Sequence, residues 1–282
     1  MSTTERVKDG GVSIWDADVS DSEMREFTEQ AYTNRLFNPL EDAAATDQLL
    51  ALRETWRQEG KETIFTSGVY DIMHQNHVKF LQGMRAVAAP YIYGKRDAVR
   101  EGKTWQDLSE RQRRDYRHHV VAADLARLVV SVDGNKAVSR RKGHQVEKGN
   151  MERPVFGWSS RARSVADLHL PLDGVPHTVA DAVTIHDNVE PALAGTPHAG
   201  IMEIGAALRP DVWCVFYESL DIIEALQRDA TGTYADITAI IIANNELHHD
   251  ELVGALSTTS ITGRIRGIGG TALAGVAFNG KH

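Results

Sequence analysis

Five short apolar runs separated by segments of helical spacing constrain this chain more than any other feature. "ETIFTSGVY", "RLVVSVD", "DAVTIHD", "DVWCVFYE" and "ITAIIIAN" read as strands. Strands buried on both faces read as near-continuous apolar runs rather than as alternating ones. The segments between them read as helices: "HQNHVKFLQGMRAVA", with Val78, Leu81 and Met84 on one face, then "DLSERQRRDYRHHVVAADLA", "SSRARSVADL", "AGIMEIGAAL" and "SLDIIEALQRD". Strands that alternate with helices predict a Rossmann-like parallel α/β sheet of about five strands with flanking helices and right-handed crossovers. Ligands of such sheets bind at the carboxyl ends of the strands, and residues 66–77 fall there.

Two further helices, "DSEMREFTEQAYTNRL" and "EDAAATDQLLALRETWRQEG", precede the first strand. The expected organisation is a helical N-terminal extension over 1–60, one nucleotide-type α/β domain over 61–267, and a glycine-rich tail over 268–282. The chain has no internal repeat of fixed period. Its 282 residues carry a formal net charge of -8, which gives no global basic field for nucleic acid but leaves room for a local basic pocket. Cys214 is the single cysteine, so no intramolecular disulfide can form. No run approaches the ~18 apolar residues of a membrane helix, and the N-terminus shows no apolar signal region. The expectation is a cytoplasmic protein with no membrane or nucleic-acid partner.

"TIFTSGVYDIMHQNHVKFLQ" carries the chemistry. A strand runs into a glycine turn and then a helix, with two histidines at the turn-to-helix junction. A helix N-terminus presents unpaired N–H groups and a partial positive charge. Gly68 lets the backbone approach a ligand closely. His74 and His77 lie three residues apart on one face, and Lys79 adds a fixed charge. These groups suit an anion, and a phosphate chain is the economical candidate. Zinc is disfavoured because there is no HExxH and no CxxC pair, and no metal-ligating residue is assigned.

This stretch resembles the first strand and helix of the cytidylyltransferase-like nucleotidyltransferases, whose signature is Gly-x-Phe-Asp followed by His-x-Gly-His. "VVSVDGNKAVSRRKG" is similar to that family's second strand and basic loop, and "RPVFGWSSRARSVADL" to the segment where an arginine opens a helix, here Arg161. "LSTTSITGRI" resembles the C-terminal Ser-Thr-Thr motif. The nearest likeness is to enzymes that make glycerol, ethanolamine or heptose nucleotide diphosphates.

The resemblance implies that a phosphorylated or phosphonate acceptor attacks the α-phosphate of CTP or ATP and releases pyrophosphate. His74, His77, Lys79 and Arg161 would then be catalytic. Thr66, Ser67, Gly68, Val69, Tyr70, Asp71, Asn76, Ser257, Thr258 and Thr259 would hold the nucleotide. Arg140, Arg141 and Lys142 would form a phosphate or acceptor loop, Mg²⁺ would be held mainly by the phosphates, and the enzyme would be a homodimer. Three positions depart from the family pattern. Asn76 replaces a glycine, "VWCVFYES" replaces a Gly-Gly-Asp stretch, and Leu252 replaces an arginine. These departures motivate an alternative, a catalytically inactive nucleotide-binding or regulatory protein of the same fold.

Each residue also has a plainer reading. The histidines would serve as capping or surface groups, "SRRKG" as a solvated basic loop, Ser257–Thr259 as an N-cap, and Trp56, Trp105, Trp158 and Trp213 as packing. His118–His119 and His248–His249 are adjacent pairs and read as solvated. Asparagine tolerates the backbone angles a glycine adopts and adds an amide donor. Asn76→Gly should therefore change nucleotide affinity by less than about tenfold, the equivalent of ~1.4 kcal/mol. Calorimetric titration with nucleotide checks this.

Overall fold

The computed structural model describes residues 35–122, 125–142, 154–172, 175–187, 199–216, 222 and 239–243. Five parallel strands form the body of the sheet: β2 (Glu62–Gly68), β3 (Ala126–Asp133), β6 (Ala182–His186), β7 (Val212–Phe216) and β8 (Ala239–Ala243). A two-residue strand, β1 (Leu36–Phe37), adds to the edge of β6 in parallel. The spatial order is β1-β6-β3-β2-β7-β8. The strand succession therefore reverses at β2, which has β3 on one side and β7 on the other. All five predicted strands are present.

The period-2 alternation sorts side chains to two cores. Ile64, Leu128, Val130, Val132, Val183, Ile185, Val212 and Cys214 face one cluster. It is completed by Phe80, Leu81, Met84, Ala88 and Ile92 of α2 (Gln75–Arg96) and by Ala162, Val165 and Ala166 of α6 (Trp158–Ala166). Phe65, Val129, Ala182, Trp213 and Val215 face the other, against Leu49 and Trp56 of α1 (Ala45–Gln58) and Ile201, Met202 and Leu208 of α7 (Ala199–Leu208). Covering both faces in this way is what a parallel sheet requires.

The described part of the N-terminal extension is tied into this frame. β1 belongs to the sheet, and Leu49 and Trp56 are core residues beside Phe65 and Trp213. The helix expected over 21–36 lies outside the described residues up to 34, and Leu36 is in β1. The insertion between α2 and β3 holds α3 (Ala98–Glu101), a 3₁₀ turn at Trp105–Asp107 and α4 (Glu110–Val121). Ser109 and Gln112 close a capping box at the start of α4. Tyr93, Trp105 and Tyr116 meet edge to face, with centroids 5.2–5.8 Å apart, and fasten the insertion to α2. Arg85, itself buried, pairs with Asp181 and donates to the Val121 carbonyl, so one guanidinium joins α2, α4 and the start of β6.

Two features differ from the sequence reading. The basic loop is a helix, α5 (Asn135–Lys142), and it carries Arg140, Arg141 and Lys142. The Asp187 carboxylate accepts from Ala137 N at 2.9 Å and so satisfies a first-turn N–H of that helix. An antiparallel hairpin, β4 (His169–Leu172) with β5 (Val175–Thr178), was not anticipated. The Asp173–Gly174 dipeptide between its strands is its sequence signal.

Trp213 is fully buried and meets Phe65 edge to face at 4.8 Å. Its outer ring lies against Gly205 of α7, where an added Cβ would overlap the indole. Gly205→Ala should therefore destabilise the protein by about 1–3 kcal/mol through overpacking, although alanine is the better helix former. Denaturant unfolding of the variant checks this.

Candidate functional site

The reversal of strand order opens a crevice at the carboxyl ends of β2 and β7. The chain leaves β2 at Gly68, passes through residues 69–74, and enters α2 at Gln75. Thr66, fully buried, donates its hydroxyl to the Cys214 carbonyl at 3.0 Å and ties β2 to β7 just below the crevice. Burial in the same place pushes the Cys214 thiol up to about 12, so the thiol stays protonated.

The loop is held from beneath by charged side chains. Tyr70 has φ 48°, in the left-handed region, and is buried in the core. Burial raises its phenol well above the usual tyrosine range. Gly68 makes this possible, since a Cβ there would come within 2.9 Å of the Tyr70 ring. Asp71 is 2% exposed, and its two oxygens accept from Val155 N and Phe156 N, each at 2.9 Å. Arg161 is 1% exposed. It donates through Nε to the Phe156 carbonyl (2.9 Å), through Nη1 to the Val69 carbonyl (2.8 Å) and through Nη2 to Asn135 Oδ1 (3.0 Å). Asn135 Oδ1 also accepts from Trp158 N at 2.9 Å. One carboxylate, one guanidinium and one amide thus join the ends of β2 and β3 to the turn that opens α6. The resemblance implied that Arg161 contacts the nucleotide. In the structure its guanidinium lies under the loop, where hydrogen bonds to charged groups hold backbone in place.

On this support, His74 is the N-cap of α2, in extended conformation (φ -139°, ψ 171°). Its ring stacks on that of His77 with centroids 3.8 Å apart and planes 21° from parallel. Tyr70 meets the other imidazole, His77, edge to face at 5.3 Å. Both histidines and Lys79 are half-buried. The helix that begins under them runs 22 residues, and its N-terminus adds partial positive charge. Ser67, Gly68 and Val69 are half-buried at the mouth of the crevice. Asn76 lies in the first turn of α2, and its side chain, like those of Arg141 and Lys142, lies outside the described set. So do Ser257, Thr258 and Thr259, and residues 217–221 that follow β7.

Sequence reasoning did not single out a second group at this end. Ser131 Oγ lies 2.7 Å from His186 Nδ1, and His186 Nε2 lies 3.0 Å from Asp133 Oδ1. Ser131 and Asp133 are wholly buried in β3, and His186 ends β6. Both imidazole nitrogens already have internal partners, and the serine is in mid-strand rather than on an exposed turn. The arrangement therefore locks β3 to β6 and does not present a hydrolase nucleophile. The signal for it was a histidine and an aspartate at the ends of two strands that prove to be neighbours.

Among the described residues, no group of three or more His, Cys, Asp or Glu is placed to hold a metal ion. No described helix is long and apolar enough to cross a membrane. Donors dominate the crevice and Asp71 is already occupied by backbone N–H groups, so a Mg²⁺ ion fits here as one carried on phosphate oxygens and water.

No family model matches the chain. Part of it is similar to curated proteins named "Bifunctional protein HldE". The identity is 35% over 89 residues with that of Nitrobacter hamburgensis (29% of this chain, 18% of the relative). It is 29% over 69 residues with that of Wolinella succinogenes (24% and 15%). It is 35% over 48 residues with that of Methylobacillus flagellatus (17% and 10%). The similarity thus spans less than a fifth of the length of each of these relatives.

The Asp71 carboxylate makes a specific stability prediction. Alanine at 71 removes the acceptor of two backbone N–H groups and should lower the unfolding free energy by about 1–3 kcal/mol. Asparagine keeps one acceptor oxygen and should recover part of the loss, as read by chemical denaturation of both variants.

Proposed function

We propose that this chain is a nucleotidyltransferase that moves CMP or AMP from a nucleoside triphosphate to a small phosphorylated or phosphonate acceptor. The observation that carries the reading is the stacked His74–His77 pair at the N-terminus of α2, placed at the sheet's switch point. The partial likeness to HldE proteins supports nucleotidyl transfer in general terms. In the proposed step an acceptor oxygen bonds to the α-phosphorus while the bond to the bridging oxygen breaks and pyrophosphate leaves with that electron pair. No covalent enzyme intermediate is needed, so catalysis is positioning and charge stabilisation.

In this reading His74 and His77 donate to phosphoryl oxygens as charge builds on them, and the helix N-terminus adds backbone donors. Lys79 neutralises the triphosphate. Arg161 acts as a positioning residue through Val69 and Phe156. Ser257–Thr259 and the basic end of α5 would complete the phosphate environment. Mg²⁺, when bound, would neutralise the phosphates and orient them. CTP is the first nucleotide to test, and the Ser-Thr-Thr form of the C-terminal motif is the reason. A homodimer in the cytoplasm belongs to the same proposal.

Asn76 in place of the family's glycine favours one other reading, a nucleotide-binding protein without turnover. Exchange of labelled pyrophosphate into nucleoside triphosphate across an acceptor panel separates the two: silence together with tight nucleotide binding selects the inactive form. For the enzyme, His77→Ala should lower turnover by about 10²–10³, as for other preorganised donors. A variant that releases pyrophosphate at the wild-type rate would overturn the mechanism.

A further inference from the structure

Phe156 is one of the few large apolar side chains left exposed among the described residues, at 49%. Its backbone is held unusually tightly for a surface aromatic. Its N–H donates to Asp71 Oδ1 and its carbonyl accepts from Arg161 Nε, both at 2.9 Å. On one side of it, Val155 N is bonded to Asp71 Oδ2, and on the other, Trp158 N is bonded to Asn135 Oδ1. The two buried charged residues that support the histidine loop therefore also fix the residue that carries this ring. A surface phenylalanine with no role needs no such anchoring.

Position decides what the ring meets. Phe156 precedes α6, which packs on β3 and β6. It therefore lies on the opposite side of β2 from β7. With the triphosphate seated in the crevice between β2 and β7, in-line displacement requires the acceptor to approach the α-phosphorus from the side opposite the leaving pyrophosphate. The rim over β3 and β6 is the side left for it.

We propose that Phe156 is a specificity-determining residue that walls the acceptor subsite and selects acceptors presenting a ring face beside their phosphate, a cyclic sugar phosphate rather than a short-chain one. This rests on the nucleotidyltransferase reading for the identity of the subsite. The chemistry is that of an aromatic face against C–H groups: a preformed, rigid apolar surface rewards a ligand with a flat apolar patch, and a two-carbon polar chain gains little from it.

The test uses the full chain, with Phe156→Ala and the conservative Phe156→Tyr. Binding of CTP, phosphoethanolamine and a panel of pentose and hexose phosphates is measured by calorimetry, and pyrophosphate release is followed with each acceptor. Phe156→Ala should weaken the preferred sugar phosphate by about tenfold, seen as a raised KM with kcat little changed. Affinity for CTP and for phosphoethanolamine should move by less than about twofold, and Phe156→Tyr should keep wild-type behaviour. A loss of CTP affinity instead would assign the ring to the nucleobase and overturn the proposal. Unchanged sugar phosphate binding in Phe156→Ala, or no preference of the wild type for cyclic acceptors, would overturn it as well. Ring-dependent sugar phosphate binding without pyrophosphate release would uphold the subsite and overturn the transferase reading.

Discussion

The structure depends on one constraint: a parallel sheet covered by helices on both faces must be apolar on both faces along its middle. β2 and β3 meet it with Ile64, Phe65, Leu128, Val129 and Val130, all 0% exposed. The few polar groups within the strands are paired across them, as Thr66 is with the Cys214 carbonyl and Ser131 with His186. A polar group that seeks a ligand has no place in the body of such a sheet. It must lie past the strand ends, where the chain turns into a helix and leaves its first N–H groups unpaired. The placement of the histidines after β2 follows from this constraint as much as from chemistry.

A site of that kind is built on loops, and loops need support if they are to hold donors in place. Asp71, Arg161 and Asn135 provide it. None belongs to the mouth of the crevice, and each satisfies backbone groups of segments far apart in sequence. A buried guanidinium with three acceptors and a carboxylate with two donors fix geometry more than they add net stability, because their desolvation offsets much of the gain. The left-handed Tyr70 fits the same picture. A non-glycine residue in that region carries strain, which the packing of its ring over Gly68 and in the core compensates.

Much of the fold was legible because its signals are local. The five strands are apolar runs, α2 has Val78, Leu81 and Met84 at helical spacing, and the order of strand and helix implies parallel pairing. The basic stretch was misread as a loop because "SRRKG" has no apolar periodicity. The helix there draws on a cap from Asp187, some fifty residues away, which no local pattern reveals. β1 was missed because two residues carry no pattern at all, and the 169–178 hairpin because its short strands contain prolines, which argue against strand.

The sequence by itself determined the fold class and the anion-seeking character of residues 68–79, since periodicity, a glycine turn and two histidines at a helix start act over a few residues. Tertiary structure decided the rest: that β2 lies at the point of reversal, that His74 and His77 stack, that Arg161 is buried under the loop, and that Ser131, Asp133 and His186 meet. These depend on which strands become neighbours and on which backbone groups remain to be satisfied once they do. Both are set by long-range packing and hydrogen-bond satisfaction, to which no short stretch of sequence has access.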